Sequence, residues 1–592
     1  MVLMPTMARK RDSMKKPLKI LLSCMAAFFV SLCILNTTLT AGGTVHTEAV
    51  SFVTDDGVNM TGTLYVPKSA SVDHPAAGIV TAPGGNTPHT FYSSYQIELA
   101  RRGYVVFAYD YYGTMGSGVA MTGSSGAEAA MKYLAGLSFV DRNRLGAIGH
   151  SNGGAQAAAA ILSAPAQNAK QRSVMFVGCG ISVKDVSVLD NINVGVVWGQ
   201  ADEAGQGSFW DTYHKDNPNY GMFAEMNGLD SKDVEPGKVY RNDNGAERVV
   251  FTPDTFHCMS NIIPSSVSNI VGFFDETLNG NVSGLAKGSH IYLWEEFAVL
   301  VMALSLCVMI FPAGDLLLGV PFFQSLKRDV PAPSSKGDVK FWVFLIVPAV
   351  ISALLVKNSI FQGQTILGTL PHLFNVQSTN GFIWWFFLSA VVAVVFFAIR
   401  TRLDPGIDPA RNKERRRTSL VDLCKAALFG IAVVFVPYLI SGIGEQMAGW
   451  YGRVFQTYFA TIASLRLYEF PVYFVIFAAL FSVYAYVQAD GLRLAGASDR
   501  KNYWITFVAN ALPAILFVGY IFGTLLITRV TPIRGREISR ANGAMMGMLL
   551  LYFVIAKNVT YFYKKTGNIY VCAMLNAAFI TWLSVNTPQL IV

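Results

Sequence analysis

Eight apolar segments fill most of the chain from Ile291 onward, and no other feature restricts the possible folds as strongly. They are 16 to 26 residues long, and a helix needs roughly 20 apolar residues to cross the hydrocarbon core of a bilayer. Lipid offers no hydrogen-bond partners, so each spanning segment must satisfy its own backbone, as an α-helix does. Residues 291–592 therefore predict an all-α polytopic transmembrane domain of about eight helices. The segments are 291–312, 341–356 (marginal in length), 382–399, 421–443, 467–487, 503–528, 544–562 and 569–589.

The N-terminus has the pattern of a targeting segment. Residues 1–16 contain five Lys or Arg residues, and a mostly apolar stretch, Ile20–Leu39, follows. This pattern is typical of a signal peptide or of an uncleaved signal anchor. Cleavage after Ala41 would put Leu39, which is not small, at the −3 position. We therefore favour a cytoplasmic basic N-terminus and signal anchor over residues 1–41, with cleavage as the alternative.

The net charge of +8 combines two regions of opposite sign. Residues 41–290 contain 15 Lys and Arg against 23 Asp and Glu, a net charge of −8, which leaves +16 for the remainder. The basic excess lies beside apolar segments, as in the cytoplasmic loops of membrane proteins. We therefore expect membrane lipids, and no nucleic acid, as partners.

The basic loops also predict which side of the membrane each region occupies. They fit the positive-inside rule if the N-terminus is cytoplasmic and residues 45–285 are extracytoplasmic. One further basic loop, Arg529–Arg540, falls on the outer side; either a span has been miscounted, or this loop faces the acidic region or an anionic headgroup. The loops that fit are Lys327–Lys340, Arg400–Arg417, Arg493–Lys501 and Lys564–Lys565.

Residues 45–285 alternate between short apolar runs and helical patterns. Such alternation predicts a mostly parallel, doubly wound sheet with helices on both faces. The predicted strands are Ala76–Ala82, Tyr104–Tyr109, Arg144–Ile148, Ser173–Val177, Val194–Trp198 and Arg248–Thr252, and the predicted helices are Tyr95–Arg102, Ala127–Ala135, Gly153–Leu162 and Ser265–Leu278.

The motif Gly149-His150-Ser151-Asn152-Gly153 lies between a predicted strand and a Gly/Ala-rich helix. A G-x-S-x-G sequence in this context is typical of a nucleophile elbow, in which glycines allow the sharp turn that exposes the serine. Ser151 is therefore the candidate nucleophile. The alternative is a glycine-rich turn of a Rossmann-like fold.

A serine hydroxyl needs a base to become nucleophilic, and the base needs an acid that orients it. His257 follows the strand Arg248–Thr252, and Asp202 follows Val194–Trp198. The chain order Ser151, Asp202, His257 is the order expected for an α/β hydrolase. Glu203 is the alternative acid.

Two backbone N–H groups are candidates for stabilising an oxyanion. Gly85 lies in the glycine-containing loop Ala82–Asn86 after a predicted strand, and Asn152 follows the candidate nucleophile. Glycine lets a backbone approach a substrate carbonyl closely. The alternative is that Ala82–Asn86 is a plain turn.

With these motifs, residues 45–285 resemble the α/β-hydrolase superfamily, nearest the dienelactone-hydrolase-like and prolyl-oligopeptidase-like branches. The segment Phe107–Gly113 resembles the D-x-R-G segment after the fourth strand of such proteins, although Tyr112 stands where arginine is usual. Dienelactone hydrolases use a cysteine nucleophile, and Ser151 departs from that pattern. The resemblance implies hydrolysis of an ester or amide, and it covers about 40% of the chain.

The chain is therefore expected to be a membrane-bound serine hydrolase that acts on a small-molecule or lipid ester. Two alternatives remain: an acyltransferase with the same triad, and a transporter or sensor with a hydrolase-like binding domain. We expect no organic cofactor. We also expect no metal, because the predicted spans contain no histidine. Substrate identity and oligomeric state stay open.

Overall fold

A computed structural model of the chain describes residues 4–119, 126–164, 171–204, 220–333, 335–370, 373–403, 417–528, 531–532, 536–586 and 590. The chain forms two compact units. One consists of residues 1–32, 299–519 and 541–586, and the other of residues 33–298, 520–540 and 587–592.

The second unit contains a nine-stranded sheet in the order β1-β2-β4-β3-β5-β6-β7-β9-β8. Six neighbouring strands are parallel to one another, namely β4, β3, β5, β6, β7 and β9. The other three strands, β1, β2 and β8, pair antiparallel at the two ends of the sheet. The carboxyl ends of the parallel strands therefore meet at one edge. The strands are β1 (Val45–Val53), β2 (Asn59–Pro67), β3 (Ala76–Ala82), β4 (Val105–Tyr109), β5 (Val140–His150), β6 (Arg172–Val177), β7 (Asn193–Val197), β8 (Tyr240–Arg241) and β9 (Glu247–Phe251).

Helices cover both faces of this sheet. Two helices on one side contact each other, α2 with α6, and α3 contacts α4 on the other. Because both faces are covered, β4 is apolar and buried at every residue, and β5 is buried from Leu145 to His150. The helices are α2 (Ser93–Ala100), α3 (Ala127–Gly136), α4 (Gly153–Leu162), α5 (Gly221–Met226) and α6 (Pro264–Leu278).

This strand order, with a strand–turn–helix at the end of β5, is the α/β-hydrolase fold. The predicted fold class, an α/β-hydrolase sheet together with a set of long apolar helices, is confirmed. The sequence patterns did not identify β1, β2 or β8 individually.

The remaining long helices are apolar. Eight helices of the described chain, α1 included, are long and apolar enough to cross a membrane, and α15 is shorter, at 17 residues. Together with the four-residue helix α8, they are α1 (Met4–Leu39), α7 (Leu293–Leu317), α8 (Pro321–Gln324), α9 (Val339–Gly368), α10 (Gln377–Leu403), α11 (Leu420–Ala448), α12 (Glu469–Gly491), α13 (Asp499–Thr528), α14 (Arg536–Thr566) and α15 (Ile569–Val585).

Two sequence-based expectations for these helices need comment. The segment 341–356, predicted as marginal, is part of the 30-residue helix α9, which continues through Lys357 and Asn358 and so beyond the apolar run. In the basic loop Arg529–Arg540, Arg529 and Arg534 lie outside the described residues, and helix α14 already begins at Arg536. Helix α14 is therefore longer than the predicted apolar segment 544–562 that it contains.

Candidate active site

Ser151 lies between the last residue of β5 and the first turn of α4. Its φ of +53° falls in the left-handed region, which non-glycine residues rarely adopt. A Cβ on Gly149 would collide with the carbonyl of Gly153, so glycine is required there. The Ser151 N–H donates to the carbonyl of Val177 on β6 (2.9 Å), which anchors the turn to the sheet. This is the strained geometry of a nucleophile elbow.

The two other candidate residues come from different loops at the same edge of the sheet. Asp202 follows β7, and His257 begins a short 3₁₀ turn after β9. His257 Nδ1 lies 3.0 Å from Asp202 Oδ2, and both side chains are buried. The contact uses Nδ1, so Nε2 is the ring nitrogen that is free to act as a base.

Glu203, the alternative acid, contacts the same histidine differently. Its Oε2 accepts a hydrogen bond from the backbone N–H of His257 at 2.7 Å. Asp202 therefore meets the imidazole, while Glu203 holds the backbone that carries it. The two carboxylates are adjacent in sequence and buried, with exposures of 3% for Asp202 and 4% for Glu203.

These buried charges change the proton affinities of the site. Burial lowers the pKa of His257, but the charge and hydrogen bond of Asp202, with a contribution from Glu203, outweigh burial and leave the pKa above its usual 6.5. Burial raises the pKa of Glu203 despite the opposing charge of His257, and Asp202 adds to the rise. The imidazolium form of His257 is thus stabilised, as a general base requires.

The two candidate oxyanion donors come from the loop after β3 and from the elbow itself. Gly85 follows β3 in a loop where Asn86 has a φ of +60°, and among the described residues none accepts a hydrogen bond from the Gly85 N–H. Asn152 occupies the position immediately before helix α4. Its N–H lies at the positive end of the helix dipole, where a developing negative charge is stabilised.

Asp110 has a partner that sequence reasoning missed. Its Oδ1 accepts the backbone N–H of His89 and also lies 2.9 Å from His89 Nδ1. Asp110 thus contacts His89, which lies outside the segment that resembles the D-x-R-G pattern. The Tyr112 hydroxyl instead donates to Asp56 at 3.2 Å. His89 and Asp110 are 21 positions apart and belong to no common motif, so the sequence gave no signal for this contact.

The described residues contain no group of three or more His, Cys, Asp or Glu side chains that could hold a metal ion. The carboxyl edge of the α/β-hydrolase sheet carries a serine, a histidine and two carboxylates.

No protein-family model matches the chain. No curated protein sequence matches it either. Solved structures are similar to part of it. A dienelactone hydrolase-like promiscuous phosphotriesterase from metagenomic libraries is 16% identical, with 45% of this chain and 98% of that chain covered and a TM-score of 0.26. A Pyrococcus furiosus esterase is 13% identical, with 40% and 96% covered and a TM-score of 0.28.

A third solved structure is also similar to part of the chain. Brefeldin A esterase, a bacterial homologue of human hormone-sensitive lipase, is 14% identical, with 44% of this chain and 86% of that chain covered and a TM-score of 0.28. Such similarity assigns neither a substrate nor a reaction to this chain.

Proposed function

We propose that the chain is a membrane-bound serine hydrolase that cleaves ester bonds of a lipophilic or envelope substrate through an acyl-enzyme. The observation that supports this most directly is the 3.0 Å contact between His257 Nδ1 and Asp202 Oδ2, at the sheet edge where Ser151 has its left-handed backbone. Each of the three residues follows a separate strand, and a purely structural role for all three does not account for the strain at Ser151.

The proposed reaction has two halves. His257 Nε2 takes the proton of the Ser151 hydroxyl as Oγ attacks the substrate carbonyl, and the N–H groups of Gly85 and Asn152 stabilise the oxyanion. The ester C–O bond then breaks, and the alcohol leaves with the proton from His257. Water attacks the acyl-enzyme in the same manner, which releases the acid and restores Ser151.

Labelling and turnover of the full-length protein in detergent or nanodiscs test this proposal. A fluorophosphonate probe should modify Ser151, mapped by peptide mass spectrometry, and hydrolysis of p-nitrophenyl esters should favour longer acyl chains. An acyltransferase would form a new ester when an acceptor alcohol is added. Absence of both labelling and turnover would favour a transporter or sensor with a binding domain.

The pKa of His257 predicts the pH dependence of this hydrolysis. His257 acts as a base only when neutral, so kcat/KM should rise with pH through the pKa of His257 and reach its half-maximum above pH 6.5. The Glu203 charge contributes to that pKa, so Glu203→Gln should move the half-maximum to lower pH. A pH profile measured with a soluble ester checks both statements, and an unmoved half-maximum in Glu203→Gln would contradict the second.

We further propose that residues 45–285 form an extracytoplasmic domain and residues 291–592 a transmembrane domain. The basic N-terminus supports this orientation, and so do the basic loops that fit the positive-inside rule. If all eight apolar segments after residue 291 cross the membrane, the even number returns the chain to the hydrolase side. The Leu590 N–H donates to Gly113 O at 2.8 Å, a contact within the same compact unit as the hydrolase sheet, and this agrees with that count.

Cysteine accessibility tests the orientation. In a variant with the exposed Cys33 and Cys424 replaced by serine, a membrane-impermeant maleimide should modify Asp230→Cys in intact cells. It should modify Lys501→Cys, in a predicted cytoplasmic loop, only after permeabilisation. Asp230 and Lys501 are both exposed, so access to either side chain depends on sidedness. The opposite pattern of labelling would invert the proposed topology.

A further inference from the structure

His150, the residue before the candidate nucleophile, is a second buried histidine that the proposed reaction does not use. Its Nε2 lies 3.1 Å from the carbonyl oxygen of His257 and 3.1 Å from Ser260 Oγ. The carbonyl can only accept, and Ser260 already donates to it at 2.7 Å. Nε2 of His150 must therefore carry the proton that both oxygens share.

The other nitrogen of His150 faces a tyrosine. With Nε2 protonated, the neutral ring presents Nδ1 as an acceptor, 3.3 Å from the Tyr92 hydroxyl. Burial and the charge of the nearby His257 lower the pKa of His150 to about 3, so the ring stays neutral wherever His257 can act as a base. His150 thus links Tyr92 to the turn that carries His257.

Tyr92 in turn holds the loop that contains Gly85. Its hydroxyl accepts the backbone N–H of Gly84 at 2.8 Å, and its one proton is shared between His150 Nδ1 and Thr87 Oγ1, which lies 2.7 Å away. Thr87 donates to the carbonyl of the same Gly84 at 3.0 Å. Both backbone polar groups of Gly84 are therefore held by this pair of hydroxyls, one peptide before the proposed oxyanion donor.

We propose that Tyr92 and His150 are positioning residues: through a continuous hydrogen-bonded path they fix the Gly85 N–H relative to the turn that carries His257. This inference rests on the proposed hydrolase function, which supplies the reaction to be positioned. Neither side chain needs to touch substrate for this role, since both are buried, Tyr92 at 1% and His150 at 4% exposure. Small displacements of an oxyanion donor are costly, because its stabilisation depends on preorganised geometry.

The chain offers a matched control for the Tyr92 hydroxyl. Tyr104 is also fully buried, and its hydroxyl accepts the backbone N–H of Gly280 at 3.2 Å and donates to Asp275 at 3.0 Å. It thus also holds a glycine backbone, but it lies at the amino end of β4, away from the candidate site. Removal of either hydroxyl leaves a buried N–H without its partner and should cost similar stability.

The test compares Tyr92→Phe with Tyr104→Phe in the full-length protein. Both should lower the melting temperature by a few degrees, but only Tyr92→Phe should reduce kcat, by about 10- to 100-fold, below the loss expected for removal of an oxyanion donor itself. KM and the pH of half-maximal kcat/KM should hardly change, because burial, Asp202 and Glu203, and not Tyr92, determine the pKa of His257. Equal kcat values in the two variants would overturn the inference.

Two further sets of variants keep the test decisive if Tyr92→Phe does not fold. Thr87→Val removes a hydroxyl of the same path and should reduce kcat, whereas Thr87→Ser retains the hydroxyl and should restore it. His150→Gln combined with Tyr92→Phe should lose less than the product of the single losses, because both changes interrupt one path. Wild-type kcat in Thr87→Val, or strictly multiplicative losses, would contradict the inference.

The outcome is separable from that of the hydrolase proposal. If the wild-type protein neither hydrolyses esters nor reacts with a fluorophosphonate, the proposed function fails. If the wild-type protein does both and Tyr92→Phe matches Tyr104→Phe, only the positioning role fails.

Discussion

Ser151→Ala should reduce ester hydrolysis to background and abolish fluorophosphonate labelling, while the protein still folds. Loss of the nucleophile in a serine triad lowers kcat by up to about 10⁶-fold, because the remaining groups can only bind and polarise the substrate. Alanine fits sterically, since it differs from serine by one oxygen. The left-handed backbone at this position is equally strained for both residues.

Ser163→Ala is the matched control for this variant. Ser163 lies at the opposite end of the same helix α4, where its hydroxyl donates to the carbonyl of Ala160 at 2.8 Å. It should retain wild-type kcat and full labelling. Initial rates with a p-nitrophenyl ester and in-gel fluorescence of the labelled protein measure both effects. Full labelling of Ser151→Ala would remove Ser151 as the nucleophile.

The elements whose bounds the sequence predicted well are those in which a run of one residue type ends clearly at loop residues. Strand Ala76–Ala82 and helix Gly153–Leu162 have the predicted bounds, because an apolar run and a small-residue run end at loop residues. The edge strands were harder. In β1, exposed and buried residues alternate irregularly, and β8 has only two residues, so neither gives a strong periodic signal.

In the candidate site, too, some residues could be predicted from the sequence and others could not. The elbow at Ser151 and the loops of Asp202 and His257 could be predicted because each follows a recognisable strand. Tyr92 and His150 are 58 residues apart, and their contact depends on how a loop after β3 folds over the elbow. No local pattern encodes such a contact, so it required the three-dimensional structure.

The sequence favoured Asp202 as the orienting acid and left Glu203 as the alternative, since both follow β7. The structure separates them, because Asp202 contacts the imidazole and Glu203 contacts the backbone N–H of the same residue. An orienting carboxylate must accept the Nδ1 proton so that Nε2 is left as the base. Only Asp202 has this contact.

Asp202→Asn should therefore lower kcat by about 10⁴-fold, the loss that follows when an amide holds the imidazole in the wrong tautomer. Glu203→Gln should lower kcat far less, because an amide oxygen can still accept the backbone N–H of His257 at the same place. The two substitutions are matched, since each replaces a buried carboxylate by its isosteric amide at neighbouring positions.

Rate and stability, measured together, distinguish the two roles. Asp202→Asn should keep KM and fluorophosphonate access to the site while the rate of labelling falls along with kcat, as expected for a loss of base activity alone. Glu203→Gln should affect mainly the melting temperature and the pH profile, because a neutral amide oxygen accepts the His257 N–H more weakly than a carboxylate and does not raise the pKa of the ring. If Glu203→Gln instead caused the larger loss of kcat, Glu203 would be the orienting acid, and the 3.0 Å contact of Asp202 with His257 would have only a structural role.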